Sequence, residues 1–244
     1  MDFKKYDQMK DKLNGFRPLS DELVKNLHDN LVLDWTYHSN AIEGNTLTLK
    51  ETKVALEGIT VGGKTLREHF EAINHKDAIF YLEDIVSEKK PLTEWLIKSI
   101  HQLILKNIDD KNAGKYRDIN VRIVGADHVP PGHYQLDELM ADLIKQYQNW
   151  QNKHPIEQAA RLHGEFVKIH PFTDGNGRTS RLLMNLILMQ NGFPAAVLPV
   201  ERRLEYYNAL DLAHTTGDYE PFIKLVGEIV EEAFKRYWFA LGVS

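Results

Sequence analysis

The sequence predicts an all-α protein with one inserted β-hairpin, and three observations support this prediction. Apolar residues recur every three or four positions along most of the chain, which is the period of an amphipathic helix. Several of these segments begin with Ser or Thr, residues that cap the first turn of a helix. Only residues 119–124 show the alternation of period two that is typical of a strand.

Four helices are predicted in the N-terminal half of the chain. Residues 1–18 are polar and form a short extended or helical lead-in. Ser20 is an N-cap that begins the first helix, whose leucines recur at intervals of four before Gly44 ends it. The next three helices begin at threonine caps, the first two of which belong to capping boxes: Thr48, Thr65 and Thr93.

The C-terminal half is predicted to contain the hairpin and further helices. The hairpin spans residues 120–134, with its turn at Gly125. Helical period resumes at Leu136, and Pro155 suits the first position of a helix that ends at His170. Residues 182–189 form an apolar run without Pro or Gly, which predicts another helix, and two more helices follow it.

The composition is that of an ordinary globular protein. A chain of 244 residues with 43% hydrophobic and 27% charged residues suits a single domain. A net charge of −5 argues against a nucleic-acid partner. The absence of Cys excludes disulfides and thiolate metal sites, and no apolar run approaches the ~18 residues of a membrane span. The N-terminus lacks a signal peptide, so we expect a cytoplasmic protein with no membrane partner.

The chemistry is concentrated in residues 170–181, His-Pro-Phe-Thr-Asp-Gly-Asn-Gly-Arg-Thr-Ser-Arg. A glycine-rich turn before a helix directs backbone N–H groups and the positive end of the helix dipole at one point, which suits a phosphate. Arg178 and Arg181 share a helix face and can bind further phosphate oxygens. Asp174 is the kind of oxygen donor that Mg²⁺ takes together with phosphates. His170 is the group here that can accept a proton near neutral pH.

Two other segments carry patterns that require an explanation. Ser39 and Glu43 lie four residues apart on the last turn of the first main helix, where a Glu opposes the helix dipole and therefore needs another reason to be present. Residues 58–65 match the P-loop pattern Gly-x-x-x-x-Gly-Lys-Thr. A P-loop requires a buried strand before it, whereas the preceding residues have helical period. We therefore interpret residues 58–65 as a loop between helices with a solvated Lys64.

Residues 170–181 resemble the Fic-family signature His-x-Phe-x-(Asp/Glu)-Gly-Asn-Gly-Arg-x-x-Arg, with every position filled. Residues 39–44 resemble the inhibitory motif of that family, (Ser/Thr)-x-x-x-Glu-(Gly/Asn). The similarity extends over roughly residues 35–238 and is nearest to the metazoan endoplasmic-reticulum Fic enzymes and their bacterial relatives. The tetratricopeptide repeats and membrane anchor of the metazoan enzymes have no counterpart in the sequence, so their clients and compartment do not carry over.

The resemblance implies a Fic-fold helical bundle with the hairpin as its flap. It implies one Fic domain over residues 1–244, with an inhibitory helix at about 20–45 and the signature loop and helix at 170–190. The activity it implies is protein adenylyltransfer, the movement of AMP from ATP to a Ser, Thr or Tyr hydroxyl of a target protein or of the chain itself. His170 would take the hydroxyl proton and Asp174 would hold Mg²⁺. The residues implied for phosphate binding are Gly175, Asn176, Gly177, Arg178 and Arg181.

The resemblance also implies how the site is controlled and where its other ligands bind. Glu43, together with Ser39, would pair with Arg181 and block productive placement of the γ-phosphate. The hairpin would hold a target segment by adding a strand to it. The candidates near adenine, ribose or the target hydroxyl are Val124, Gly125, His128, Tyr206, Tyr207 and His214.

Several alternatives remain open at this point. Relatives of the Doc type transfer phosphate, although they depart from the Gly-Asn-Gly-Arg pattern. Some relatives with an inhibitory Glu remove AMP, with the Glu positioning a water. A nucleotide-binding regulatory module and a P-loop NTPase are the remaining candidates. The target protein, and whether the chain forms a homo-oligomer, cannot be decided from the sequence.

Overall fold

The computed structural model describes residues 1–243, which form ten α-helices. The helices are α1 (Lys4–Asn14), α2 (Asp21–Ile42), α3 (Leu49–Leu56), α4 (Leu66–Ser87), α5 (Glu94–Leu105), α6 (Leu136–Asn149), α7 (Pro155–Ile169), α8 (Asn176–Gln190), α9 (Arg203–Thr216) and α10 (Glu220–Leu241). Single 3₁₀ turns adjoin α6 and α9. The all-α class is therefore confirmed. None of these helices is long and apolar enough to cross a membrane.

The helix starts lie where the capping residues predict them. The Ser20 hydroxyl accepts a hydrogen bond from the Leu23 N–H group at the start of α2. Thr48 and Thr65 form complete capping boxes with the glutamates three residues later, at the starts of α3 and α4. Thr93 caps α5 in the same way without the glutamate. Each cap satisfies N–H groups that have no acceptor within their own helix.

Helix α8 is the centre of the bundle. Nearly all its residues from Asn176 to Leu188 are buried, including the polar ones, so the helix is enclosed on every side rather than amphipathic. Helices α7, α4, α5 and α2 pack around it, and α7 makes the most extensive contact. The first turn of α8 therefore lies deep within the molecule, where neighbouring helices can place side chains against it.

The predicted β-hairpin is wrong, because residues 118–132 form an irregular loop and the described part of the chain contains no strand. Pro130 and Pro131 have no N–H groups to donate to a ladder. The two arms of the loop are instead joined by the buried Arg117. Its Nη1 donates to the carbonyl oxygen of Ile119 at 2.7 Å and its Nη2 donates to that of Pro131 at 2.7 Å.

Residues 58–65 form the loop predicted between α3 and α4, and no strand precedes them. The prediction that Lys64 is solvated is wrong. Its ammonium group donates to the carbonyl oxygen and the hydroxyl of Thr46 and lies 3.5 Å from the Glu51 carboxylate. Lys64 therefore fastens this loop to the segment that follows α2.

Candidate active site

His170 lies at the junction of α7 and the signature loop. It ends α7 in the left-handed conformation, with φ of 50°, which is uncommon for a residue other than glycine. Arg117 holds this turn from the other side, because its Nε donates to the His170 carbonyl at 2.9 Å and its N–H group donates to the Pro171 carbonyl at 2.9 Å. Burial lowers the pKa of His170 to about 4. The imidazole is therefore neutral near pH 7 and can accept a proton.

The loop between His170 and α8 is closed by its own residues. The Asn176 side chain accepts a hydrogen bond from the Phe172 N–H group at 3.0 Å and donates to the Phe172 carbonyl at 2.8 Å. The fully buried Phe172 ring stacks on His101 with a centroid distance of 3.6 Å. The Asn176 side chain thus holds the shape of the loop, and the backbone N–H group of Asn176 is not used for this purpose.

His101 fixes the next part of the loop, and sequence analysis did not identify it. The Gly114 N–H group donates to Nδ1 at 2.9 Å, so the ring proton lies on Nε2, which donates to the Asp174 carbonyl at 2.9 Å. Burial lowers the pKa of His101 to about 4, in keeping with this neutral form. A lone histidine in α5 gives no sequence signal that it touches residues 114 and 174.

The first turn of α8 has the geometry of an anion-binding site, and the Glu43 carboxylate lies against it. The N–H groups at the start of a helix have no acceptor within it. Glu43, at the end of α2, lies directly above this turn: a Cβ atom at Gly177 would collide with Glu43 Oε1. Gly177 therefore has to lack a side chain for the carboxylate, or any anion in its place, to approach the helix end.

Arg181 joins α8 to α2 through Ser39 and Glu43. Its Nε donates to the Ser39 hydroxyl at 3.1 Å, and its Nη2 donates to the Ser39 carbonyl at 2.8 Å and to Glu43 Oε1 at 2.8 Å. Arg181 is 2% exposed, so this ion pair is largely shielded from water on the arginine side. The contact that the resemblance implied among these three residues is present.

The end of α2 is held in place by α4. Asn40 donates to the Glu71 carbonyl at 3.2 Å, and Asn45 donates to the Glu71 carboxylate at 2.8 Å. Gly44, with φ of 97°, turns the chain between these two asparagines. Glu43 therefore projects from a fixed helix end rather than from a free loop.

The Asp174 carboxylate accepts hydrogen bonds from both sides. Oδ1 accepts from the Gly175 N–H group at 2.6 Å and from Arg178 Nη2 at 3.1 Å, and Oδ2 accepts from Arg67 Nη2 at 2.6 Å. Burial raises the pKa of Asp174, but Arg178, the Gly175 N–H group and Arg67 together outweigh burial and lower it. Asp174 is consequently ionised at neutral pH.

The Asp174 carboxylate is suited to a Mg²⁺ ion that arrives with a nucleotide. Within residues 1–243 no three His, Asp or Glu side chains are grouped so that they could hold a metal by themselves. Mg²⁺ in nucleotide sites needs only one or two carboxylates, because phosphates and water supply the other ligands. The Asp174 side chain is 43% exposed and lies beside the first turn of α8, which meets this requirement.

A cavity of about 240 Å³ is lined by His170 and Gly177 and by most of the residues predicted to bind the base or ribose. Its lining includes Glu43, Val124, Gly125, His170, Gly177, Arg203, Tyr206, Tyr207, Asp211 and His214. His128 does not line it. The His128 ring contacts the Lys168 carbonyl at 2.9 Å and borders a second cavity, of about 370 Å³. Five of the six candidates therefore line this cavity, and the ring of His128 lies 5.2 Å from the ring of His214, one of the five.

The two tyrosines in this cavity differ in exposure. Tyr206 is 2% exposed and its hydroxyl lies 2.8 Å from the Nε2 atom of the buried His163, so it forms part of the cavity floor. Tyr207 is 39% exposed, and its hydroxyl donates to the Ile42 carbonyl at 3.3 Å. Tyr207 is therefore the more exposed of the two rings in this cavity, whereas His163 is fully buried behind Tyr206.

Cavity size alone does not identify the site. A larger cavity, of about 850 Å³, lies between the N-terminal half of α2 and the C-terminal ends of α8 and α10. None of the signature residues lines it. The cavity of about 240 Å³ is the stronger candidate, because His170, Gly177 and Glu43 line it.

Comparisons with known proteins agree with this location. The model of the Fic/DOC family matches residues 91–188. The chain is 41% identical over 219 residues to protein adenylyltransferase fic-1 of Caenorhabditis briggsae, covering 86% of this chain and 42% of that protein. It spans about two fifths of the length of the curated relatives it matches.

Two solved structures share the whole fold. A Fic domain-containing signaling protein from Bacteroides thetaiotaomicron VPI-5482 superimposes with a TM-score of 0.89 at 30% identity, covering 98% of this chain and 97% of that one. A segment of Fic-1 from C. elegans superimposes with a TM-score of 0.86 at 34% identity, covering 98% and 72%.

Proposed function

The chain belongs to the Fic/DOC family, and we propose that it is a protein adenylyltransferase that moves AMP from ATP to a Ser, Thr or Tyr hydroxyl of a target protein. One observation carries the proposal. A neutral histidine, an ionised aspartate and two buried arginines meet at the first turn of a helix, beside a cavity with an exposed aromatic ring. The curated relative named above is a protein adenylyltransferase.

The phosphates of ATP would bind at the first turn of α8. The carboxylate of Glu43 already lies at this helix end, which supports an anion site there. The N–H groups of Gly175, Asn176 and Gly177 would contact phosphate oxygens, with Arg178 at the β-phosphate and Arg181 at the γ-phosphate. In the described structure Arg178 Nε and Arg181 Nη1 have no hydrogen-bond partner. A bound anion would supply one.

His170 would act as the general base. It takes the proton of the target hydroxyl as the hydroxyl oxygen forms a bond to the α-phosphorus, and the bond from that phosphorus to the bridging oxygen breaks, so that pyrophosphate leaves. Asp174 would hold Mg²⁺, which neutralises charge on the phosphates. The neutral state of His170 at pH 7 supports this role, because a protonated imidazole could not accept the proton.

Adenine and the target would bind on the side of loop 118–132. Val124, Tyr207 and His214 line the cavity and would surround the base. The loop tip is open, with the Val124 side chain fully exposed, so an extended target segment can reach it. A position beside His170 would place the target hydroxyl near its proton acceptor.

Glu43 would inhibit transfer while it is paired with Arg181. In that arrangement the γ-phosphate lacks its arginine, and ATP binds with the α-phosphate out of line for attack. The N-terminal helix α2 is thereby the inhibitory helix, and a ligand that displaces its carboxylate relieves the inhibition.

The test is incubation of the purified chain with Mg²⁺ and ATP labelled at either the α- or the γ-phosphate, followed by intact mass measurement. Adenylyl transfer leaves the α-label and the mass of one AMP on the protein. Retention of the γ-label would indicate phosphate transfer of the Doc type. Release of phosphate without protein labelling would indicate an NTPase, although the contacts of Lys64 with Thr46 and Glu51 disfavour the P-loop alternative.

A second candidate activity is removal of AMP from a modified target. The observation that favours it is that Glu43 and His170 line the same cavity, so a carboxylate is present to position a water. A target that has been adenylylated beforehand would release AMP on incubation with the chain and Mg²⁺ without ATP.

Location in the cytoplasm stays a prediction from the sequence.

A further inference from the structure

Arg67 contacts the proposed metal ligand from a different helix. It lies in the first turn of α4, and its Nη2 donates to Asp174 Oδ2 at 2.6 Å, the shorter of the two arginine contacts that this carboxylate makes. The Nε atom of the same guanidinium donates to Glu71 Oε1 at 3.1 Å. The signature contains no counterpart of this arginine, because it is 107 residues away along the chain.

The two arginines on Asp174 have different environments. Arg178 is 2% exposed and lies in the first turn of α8, four residues after Asp174, so burial keeps it beside this carboxylate. The Arg67 side chain is 57% exposed and reaches the carboxylate from the solvent side. An exposed arginine of this kind changes rotamer within nanoseconds. Arg67 is therefore the removable partner of Asp174, and Arg178 is the permanent one.

The charges in this cluster sum to zero while Arg67 is in place. Arg67 and Arg178 supply two positive charges, and Asp174 and Glu71 supply two negative charges, with Arg178 Nη1 3.5 Å from Glu71 Oε1. When Arg67 leaves, one negative charge remains uncompensated, and Asp174 Oδ2 loses its donor. The cluster is thus neutral while Arg67 contacts Asp174, and it has a net negative charge that attracts a cation once Arg67 has left.

We propose that Arg67 is a gate on the metal position: it occupies Asp174 in the nucleotide-free chain and lowers the affinity of that carboxylate for a divalent cation. This inference rests on the proposed function, since it concerns the same site. The gate acts on the metal side of the nucleotide, whereas Glu43 acts on Arg181.

The test measures nucleotide affinity rather than turnover. The affinity of a non-hydrolysable ATP analogue is determined by calorimetry in Mg²⁺ and in EDTA, for the parent chain and for Arg67→Ala. We expect the ratio of the affinity in Mg²⁺ to the affinity in EDTA to increase about two- to fivefold in Arg67→Ala, because an exposed ion pair contributes only modestly. The affinity in EDTA should change little. Arg67→Gln, which keeps most of the side chain without its charge, should behave like Arg67→Ala.

Two further variants make the result specific. Arg161→Ala removes an arginine that is likewise paired with a glutamate four residues away but touches no signature residue, and it should leave the ratio unchanged. In an Asp174→Ala background the removal of Arg67 should not change the ratio either.

Three outcomes would overturn the gate. If Arg67→Ala and Arg67→Gln keep the parent ratio, Arg67 is an ordinary surface partner. If they weaken binding equally in Mg²⁺ and EDTA, Arg67 is a phosphate ligand. If the ratio increases in the Asp174→Ala background as well, the effect does not pass through Asp174. If the parent binds the ATP analogue and the variants keep its ratio of affinities, only the gate is refuted. If none of the chains binds the analogue, the proposed function is refuted as well.

Discussion

The two sides of His170 are held by different means. On the phosphate side, at the first turn of α8, the groups that would bind a ligand are already paired with opposite charges: Arg181 with Glu43, and Asp174 with Arg67 and Arg178. On the loop side, residues 118–132 have no strand pairing; the Arg117 guanidinium and the contact of Asn120 with His133 join their arms. On the phosphate side, we therefore expect a ligand to replace one partner of an existing ion pair. On the loop side, we expect binding to depend on how firmly the backbone of residues 118–132 is held.

Asp211 adds a second fastening to the loop side. Its carboxylate accepts hydrogen bonds from the N–H groups of Asp127 and His128 at 3.1 Å and 3.3 Å, which ties the far arm of the loop to α9. Between this point and Arg117 the tip at Val124 remains exposed. The comparison indicates that substitutions on the two sides should separate nucleotide binding from use of the protein target.

His170 lies between the two sides, and its replacement should have the largest effect. His170→Ala is expected to lower the rate of AMP transfer about 10²- to 10⁴-fold, because the general base is lost, while nucleotide affinity stays near that of the parent. Transfer is followed by labelling from α-labelled ATP, and affinity by calorimetry. Transfer at the parent rate would mean that another group takes the proton.

Arg117 tests the loop side without touching the phosphate side. Arg117→Met keeps the apolar volume but loses contacts with the carbonyls of His170, Ile119 and Pro131. We expect a loss of unfolding free energy of about 3 kcal/mol, since hydrogen bonds from a charged donor are lost. Transfer to a protein target should also fall about a hundredfold, as for a misplacement of an ångström at the reacting centre.

The control for this variant is Arg122→Ala, which removes a charge from the same loop without removing those contacts. Nucleotide affinity is the decisive measurement. If Arg117→Met weakens nucleotide binding as much as it weakens target use, the two sides of His170 are not independent and the comparison fails.

As pH falls, the free energy of unfolding should decrease before His170 becomes protonated in the folded chain. Burial lowers the pKa values of His170, His101 and His214 from 6.5 to about 4. Below pH 6.5 the unfolded chain therefore binds protons that the folded chain does not, so stability is present above this pH and is lost as pH falls toward 4. The slope is about 1.4 kcal/mol per pH unit for each proton.

Urea unfolding between pH 7.5 and 4.5 measures how the free energy of unfolding depends on pH. His101→Gln should lower this slope by the contribution of up to one proton, about 1.4 kcal/mol per pH unit. A transfer rate, kcat/KM, that falls with an apparent pKa near 6.5 would show that His170 is not buried as described. The account instead expects the acid limb to lie well below pH 6.

The predictable part of the molecule is the part determined by local sequence. Ser20, Thr48, Thr65 and Thr93 begin helices because a capping side chain acts on N–H groups two or three residues away. The signature residues are adjacent in sequence and come together for the same reason. Even Ser39 and Glu43 are four residues apart, so their shared face follows from helix geometry.

The unpredicted part depends on contacts between distant segments. Residues 119–124 alternate as a strand does, but a strand needs a partner, and Pro130 and Pro131 cannot supply one. Arg67, His101 and Arg117 reach the signature loop from 53 to 107 residues away, and no local pattern marks them. The resemblance groups His128 with the base-binding candidates; its ring contacts the Lys168 carbonyl and the ring of His214, but it does not line their cavity.

The most direct test of the account is the rate of AMP transfer by Glu43→Gly and Glu43→Ala. Either change removes the carboxylate above the first turn of α8 and frees Arg181 for the γ-phosphate. The alanine variant is the cleaner one, because glycine also loosens the end of α2 by up to ~1 kcal/mol. With α-labelled ATP and Mg²⁺, we expect both variants to label themselves or a target about 5- to 150-fold faster than the parent, corresponding to a coupling free energy of ~1–3 kcal/mol. Replacing Arg181 as well should not give full activity. Labelling by both single variants at or below the parent rate would contradict the inhibitory role of Glu43.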